Sequence, residues 1–518
     1  MFYLVYRKIG PGFLIILNFL LQSCYKEIEF YSYSAVPVLK FNNTQIAIDK
    51  PSGRFLLSFD QQSMYEDAVI YANVRSLHIE GDEYFEGNRI DLSGYRTGDS
   101  VWISFYTPDN EYMEGYLHFT TLPVVRLFCD DNIPDEPKIP CDFILTYHSN
   151  GKGYSLESKA GIEQRGRASG SYPKKSYAIE LWEDQYGVHT RDESLLGMRS
   201  DDDWILDAMY VDKSRMRNKI SMEIWRDIYA RSENPLSLGK AYTESHFVEV
   251  FLNMEYIGLY CLTERIDRKQ LEVEVYDYTF RGLLYKSEIW TSTTKFIDLA
   301  DTTKSCYWDG WEQKYPDPET LNYWRPIYDF TSFVINADEQ EFEAEVYNYL
   351  DPVNLTDYFI FVNLCQAFDN MGTNMFYARY STGDPFIILP WDLDATWGQS
   401  WDATLLKPVY WLDNKYYRRI FTDDIGNIQK RILDRWVFLR QGICRGDDLK
   451  RRFIMNFRQL ERSGAIIREA NRWPETNLDL HAEMDYIFDW IDNRLLYLDN
   501  QISSLKLLDW ENMPFATR

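Results

Sequence analysis

Apolar and polar positions follow two different patterns along the chain, and the change between them marks its organisation. Between about residues 34 and 122 the apolar residues come in short runs, at 36–39, 55–59, 68–71, 101–106 and 116–120, with Gly, Asp and Asn filling the gaps. Runs of this length between turn residues predict strands at the spacing of a small Ig-like β-sandwich. That region holds no cluster of catalytic residue types and reads as a spacer or binding module. Thr120-Thr121-Leu122-Pro123 marks its end, because proline restricts the residue before it and interrupts sheet pairing.

From about residue 124 the pattern changes. Strands are predicted at 141–146 and 175–181. A helix is predicted over 214–230, where Met216, Ile220, Ile224 and Ile228 share one face. Strands return at 247–251 and 256–262. Beyond about residue 331 the periodicity is mostly helical, from 357–360 through 426–505. A β-rich half carrying one helix, followed by a helical half, suits a two-lobed kinase and other α+β folds equally well.

The N-terminus reads as a targeting segment. Arg7 and Lys8 precede an apolar stretch from Phe13 to Leu21 that only Asn18 interrupts, and Leu21-Gln22-Ser23-Cys24 closes it. That order is a bacterial signal peptide, and its ending resembles a lipobox in which Cys24 becomes the acylated first residue. The apolar stretch from Ile9 to Leu21 falls short of the roughly 20 residues that a spanning helix needs. The expectation is a lipid-anchored, extracytoplasmic protein of the bacterial cell envelope, at the outer membrane. The expected divisions are 1–23 (signal peptide), 24–122 (sandwich), 123–505 (main domain) and 506–518 (tail), since about 495 residues exceed what one core serves.

Charge narrows the function. Asp and Glu outnumber Lys and Arg by 80 to 55, a formal charge of −25. Such a surface repels phosphate backbones and argues against a nucleic-acid partner, while leaving room for a local nucleotide pocket. Besides Cys24, six cysteines are scattered at 129, 141, 261, 306, 365 and 444 without a zinc-like spacing. Cys129 and Cys141 are close enough to pair across a hairpin or loop, or to remain separate buried thiols.

Four stretches carry candidate chemistry. In Gln164-Arg165-Gly166-Arg167-Ala168-Ser169-Gly170-Ser171-Tyr172-Pro173-Lys174-Lys175-Ser176-Tyr177, a Gly/Ser turn offers N–H groups and the flanking cations add charge, a combination that can hold phosphate oxygens. Lys175 shares a strand face with Tyr177 and Ile179, so it is the expected inward lysine, with Lys174 on the other side. The second stretch, Asp212-Lys213-Ser214-Arg215-Met216-Arg217-Asn218-Lys219, opens the predicted helix, with Asp212 or Ser214 as its cap. Glu223, further along, is a candidate partner for the strand lysine. The third, Gly258-Leu259-Tyr260-Cys261-Leu262-Thr263-Glu264-Arg265-Ile266-Asp267, is a buried strand running into a polar turn, where a kinase hinge would hold adenine through backbone groups; an ordinary core strand with a solvated turn is the plainer reading. The fourth is the most specific: Phe368-Asp369-Asn370-Met371-Gly372-Thr373-Asn374, then Ile387-Ile388-Leu389-Pro390-Trp391-Asp392-Leu393-Asp394. Asp369 and Asn374 stand five apart (374 − 369), the spacing of base and metal-binding Asn in a kinase catalytic loop. Asp392, 23 residues on (392 − 369), ends an apolar strand where a metal-binding Asp would sit.

Taken together, Arg-Gly-Arg-x-Ser…Pro-Lys-Lys-Ser-Tyr, Arg-Asn-Lys, Gly-Leu-Tyr-x-Leu-x-Glu and Asp-Asn…Asn…Pro-Trp-Asp-Leu-Asp resemble the CotH kinase family, over about residues 124 to 400 and more loosely to 505. The resemblance implies an atypical protein-kinase-like fold that transfers the γ-phosphoryl of ATP to Ser or Thr hydroxyls of a protein substrate with Mg²⁺ or Mn²⁺. By motif it implies Asp369 as catalytic Asp, Asp392 and Asn374 as metal ligands, Lys175 as phosphate lysine, and Arg165, Arg167 and Glu264 as further nucleotide contacts. His-Arg-Asp and Asp-Phe-Gly are absent, as expected for that family. The competing expectation is a catalytically inactive kinase-fold surface lipoprotein that binds glycans or another protein, since ATP is scarce outside the cytoplasm. A metal-dependent phosphatase or nuclease fits less well, because none of the six His lies near these motifs.

Overall fold

The computed structural model describes residues 36–59, 66–130, 132–149, 152–167, 169–232, 239–277, 282–300 and 307–505. The signal segment with Cys24, and the 506–518 tail, lie outside them. The first strands form two sheets: a four-stranded one built on Leu39–Phe41 and Ala68–Ala72, and a six-stranded one built on Arg54–Ser58, Ser100–Tyr106 and Tyr112–Thr120. Their apolar faces meet in one cluster that includes Leu39, Phe41, Ile70, Phe55, Ile103 and Leu117. Burial alternates along Tyr112–Thr120 as the period-2 pattern requires.

Past Pro123 the chain enters a closed seven-stranded barrel. Its strands are β1 (Val124–Cys129), β2 (Ile139–Ser149), β3 (Lys152–Arg165), β4 (Ser176–Trp182), β5 (Asp203–Asp207), β6 (Ser245–Leu252) and β7 (Glu255–Glu264). Val125, Phe143, Ile179, Trp204, Val250 and Leu262 belong to the apolar cluster of the barrel strands. Helix α1 (Arg217–Tyr229) lies between β5 and β6 in sequence and packs its Ile220, Ile224, Trp225 and Ile228 into the helical core. It begins three residues later than the apolar spacing predicts, because Arg215 takes a left-handed φ of 58°. Asp212 still serves the helix: its carboxylate accepts from the Arg217 N–H at 2.7 Å, so one of the unpaired first-turn donors is satisfied from outside the cap position.

The remaining chain is mostly helical, interrupted by β8 (Leu283–Ser287), β9 (Met375–Arg379) and β10 (Ile387–Pro390), which pair antiparallel in the order β8-β9-β10. Helix α2 (Pro352–Cys365) is buried almost all round, which explains why its periodicity is weak in sequence. The long helix α4 (Leu480–Ser503) closes the helical core. Among the described residues no helix is long and apolar enough to cross a membrane.

Helix α3 (Ala465–Arg472) locks the helical half onto the barrel. Its Glu469 is fully buried and accepts from Lys174 at 2.8 Å, Arg215 at 3.1 Å and the Leu259 N–H at 2.8 Å. Gly258 makes room for it: at φ 126° a Cβ there would lie 2.5 Å from the Glu469 carboxylate. Burial brings Lys174 down to about 8, since it shares a single carboxylate with Arg215. Burial works against the Glu469 carboxylate, yet Lys174 and Arg215 together hold it below its usual range. Removing one partner of such a pair leaves uncompensated buried charge, at about 3–5 kcal/mol. Glu469→Gln is therefore expected to lower the unfolding free energy of the full chain by that amount, read as a lower urea midpoint at unchanged slope. An unchanged midpoint would show that α3 is held by its apolar contacts instead.

Candidate active site

The Asp369 and Asp392 segments meet through an amide. Asp369 opens a short turn, Asp369–Met371, shortly after α2, and the Tyr358 hydroxyl of α2 donates to the Asn370 carbonyl at 2.7 Å. The Asn370 side chain then donates to the carbonyls of Asn374 at 2.6 Å and Trp391 at 2.8 Å. Strands β9 and β10 pair Met375 with Pro390, so the residues just outside that pair, Asn374 and Trp391, are brought face to face. Asn374 lies 3.4 Å from the Asp392 carboxylate through its own amide. Both residues hold left-handed backbone, at φ 53° and 55°. Asn and Asp tolerate that region better than other side chains, and such strain collects where a side chain must be aimed.

A second amide brings in the barrel. Asn218 of α1 donates to Asp207 at 2.9 Å and accepts from the Leu393 N–H at 3.1 Å. Asp207 at the end of β5 thereby comes near enough to Asp392 and Asp394 for its charge to act on both. Arg217 supports this tie from behind. It is fully buried, paired with Asp212 at 2.7 Å and with Glu483 of α4, and it donates to the Thr396 carbonyl at 2.9 Å.

The electrostatics record the crowding. Asp392 keeps solvent access, yet protein surrounds it on most sides. That packing, followed by the charge of Asp207, pushes its carboxyl up to about 6; Lys286 and Arg165 pull the other way and Asp369 adds to the rise. Asp394 is raised further, first by burial, then by Asp392, Asp207, Asp212 and Asp369. The two cations acting on Asp392 are Arg165, at the end of β3 and 5.7 Å over the Trp391 ring, and Lys286 of β8, paired with Glu288. The set is rich in hard oxygen donors and short of positive charge, which is what a divalent cation bound through carboxylates and an amide requires. Asp392, Asp394, Asp207 and Asn374 are the residues that would hold it.

A tighter acidic group lies elsewhere: Asp192, Asp201 and Asp202 offer oxygens within 4.8 Å of one another. Lys269 already sits on them, at 3.2 Å from Asp201 and 2.6 Å from Asp202, and Arg199 also pairs with Asp201. The protein's own cations fill the role that a metal would take there.

Several sequence expectations land elsewhere. Lys175 is half-buried and donates to the Gly170 carbonyl at 2.5 Å, closing its own turn; the fully buried lysine is Lys174. Strand β4 begins only at Ser176, so the alternation assumed for Lys175 does not extend back to it. Glu223 pairs with Lys219 one turn away, and the carboxylate that meets the buried lysine is Glu469. Glu264 is buried and already accepts from the N–H groups of Arg199 at 3.0 Å and Glu244 at 2.9 Å and from Lys240 at 3.0 Å. The strand expected to hold adenine has its backbone taken as well. Arg472 donates to Tyr256 O at 2.9 Å, Trp473 to Ile257 O at 3.0 Å, and Lys174 to Leu259 O. That strand is core, paired with β5 on one side and β6 on the other. Arg167 is exposed, on the rim of the turn that carries Arg165.

Asp207, Asp394, Lys286 and the amides of Asn218 and Asn370 escape the sequence reading. A carboxylate ending a short apolar strand, as Asp207 does, was the available signal; Asp394 stood two residues from Asp392 in the same motif. Nothing in sequence marks Glu469, which lies 295 residues from Lys174.

The family model "CotH kinase protein" matches residues 162–498, and the chain belongs to this family. It is also similar to the inner spore coat protein H of Bacillus subtilis (strain 168). The two are 23% identical over 355 residues, which span 66% of this chain and 87% of that protein.

The raised Asp392 carboxyl predicts a pH effect of definite sign. The folded state binds this proton more tightly than the unfolded chain, whose value stays near 3.8, so its contribution favours folding below that value and is lost as pH rises through about 6. Without added metal, the Asp392→Asn variant should melt above wild type at neutral pH, with the gap closing on acidification. Equal melting across that window would mean that Asp392 is not crowded by like charge.

Proposed function

We propose that this chain is a lipid-anchored, extracytoplasmic phosphotransferase that moves the γ-phosphoryl of ATP to a Ser or Thr hydroxyl of a protein substrate. The observation that carries the reading is the convergence of Asp369, Asn374 and Asp392, with Asn374 hydrogen-bonded to Asp392 and the charges of Asp369, Arg165 and Lys286 all acting on it. Membership of the CotH kinase protein family supports the reaction class. The two N-terminal sheets with their shared core suit a sandwich module spanning 24–122, and the barrel and helical halves suit the two lobes of a kinase-like domain over 123–505. The Leu21-Gln22-Ser23-Cys24 ending supports acylation at Cys24.

In this reading Asp369 takes the proton of the acceptor hydroxyl as its oxygen attacks the γ-phosphorus, and the β-phosphate oxygen leaves with the electron pair. Arg165 supplies a guanidinium whose planar fork suits phosphate oxygens, and Lys286 holds positive charge near Asp392. Mg²⁺ or Mn²⁺ bound by Asp392, Asp394, Asp207 and Asn374 would neutralise charge on the phosphates. Asn218 and Asn370 keep the acids in register without adding charge.

Full-chain protein purified in detergent tests the reading. ATP with Mg²⁺ or Mn²⁺ should raise the melting temperature of wild type and leave that of Asp392→Ala unchanged. Asp369→Asn should keep the nucleotide-dependent rise but lose phosphoryl transfer by about 10³-fold or more, several kcal/mol of transition-state stabilisation. No rise with any nucleotide would favour a kinase-fold binding lipoprotein instead.

A further inference from the structure

Two thiols of the barrel stand directly opposite each other. Cys129 ends β1 and pairs in antiparallel register with Cys141 of β2. Both are buried. The Cys129 N–H donates to the Asn253 side chain at 3.1 Å, and the Cys129 carbonyl accepts from the same amide at 2.9 Å. Both backbone groups of Cys129 therefore point away from β2, which makes Cys129–Cys141 a non-hydrogen-bonded pair of the ladder. At such positions the Cα atoms approach to about 4.5 Å, with the side chains closer than at the alternate sites. That separation lies within the range that a disulfide spans, about 4.4–6.8 Å between Cα atoms. The thiols already interact with one another. Cys261, Cys365 and Cys444 are also buried, but none has a cysteine opposite it in any described strand pairing.

We infer that Cys129 and Cys141 form an intramolecular disulfide that ties β1 to β2 where the two strands pair. Each thiol gives up a proton and one electron, a sulfur–sulfur bond forms, and a disulfide oxidant of the envelope or glutathione class is reduced to two thiols. Exchange proceeds through attack by a thiolate. Burial pushes the Cys141 thiol well up, so the bond is expected to form while β1 and β2 are still pairing, and to resist reduction once the barrel closes. The inference rests on the extracytoplasmic reading only for the supply of oxidant; the opposed geometry is independent of it.

The test uses the full chain and two preparations. Reduced, unfolded protein refolded in a glutathione redox buffer, then alkylated in denaturant without reductant, should yield a peptide linking Cys129 to Cys141, while Cys261, Cys365 and Cys444 alkylate fully. Cys141→Ser should return Cys129 to full alkylation. If that variant does not fold, melting wild type refolded with and without the glutathione redox couple serves the same end, the linked form melting higher. Alkylation of both Cys129 and Cys141 after refolding would overturn the inference. Protein isolated from cell envelopes without reductant should carry the same link. A link that forms in the redox buffer but is missing from envelope isolates would count against the extracytoplasmic reading and leave the pairing standing.

Discussion

Carboxylates of like charge repel, and the candidate site holds several of them within reach of one another. Neutral amides supply the restraint. Asn218 grips Asp207 on one side and the Leu393 N–H on the other, and Asn370 grips the carbonyls of Asn374 and Trp391. Each amide spends its hydrogen bonds on joining segments distant in sequence, and neither compensates the charge. Arg165 and Lys286 offset part of the repulsion. The remaining negative potential is of the kind that would suit a hard cation.

The same economy governs the contact between the barrel and the helical half. Glu469 satisfies two buried cations and one backbone N–H at once, and it can do so only because Gly258 has no side chain. This contact reaches the end of the Arg165–Lys175 turn through Lys174, so the turn bearing Arg165 is anchored there. Lys175 helps from within the turn by holding the Gly170 carbonyl. The two neighbouring lysines thus have structural duties, which leaves Arg165 and Lys286 as the cations turned toward the acids.

Several of the motifs that mark the family in sequence are explained by packing. Gly258 and Leu259 admit Glu469, Glu264 ties three segments through Arg199, Lys240 and Glu244, and Arg217 lashes α1 to the Thr396 turn. Residues of these motifs that bond the acids, act on them by charge, or are the acids themselves are fewer: Arg165, Asn218, Asp369, Asn374, Asp392 and Asp394. Motif residues that hold a shape and those that do chemistry look alike in a linear sequence, because both keep an unusual residue type at a fixed spacing.

Local information was enough for the longer strands of the first module, at 54–58, 68–72, 100–106 and 112–120 but not for the short ones at 44–49 and 75–90, for most of α1, and for the Asp369, Asn374 and Asp392 spacing. These rest on periodicity and short-range geometry, which a chain carries residue by residue. Tertiary structure alone decided which lysine is buried, which glutamate meets it, and that Asp207 and Lys286 join the site. It also converted the supposed hinge strand into core by laying α3 along its backbone. Those outcomes depend on hydrogen bonds and charges between residues far apart in the chain, such as Lys174 and Glu469. No local pattern encodes such partners, because the energy that selects them exists only once the two halves are packed and water is excluded between them.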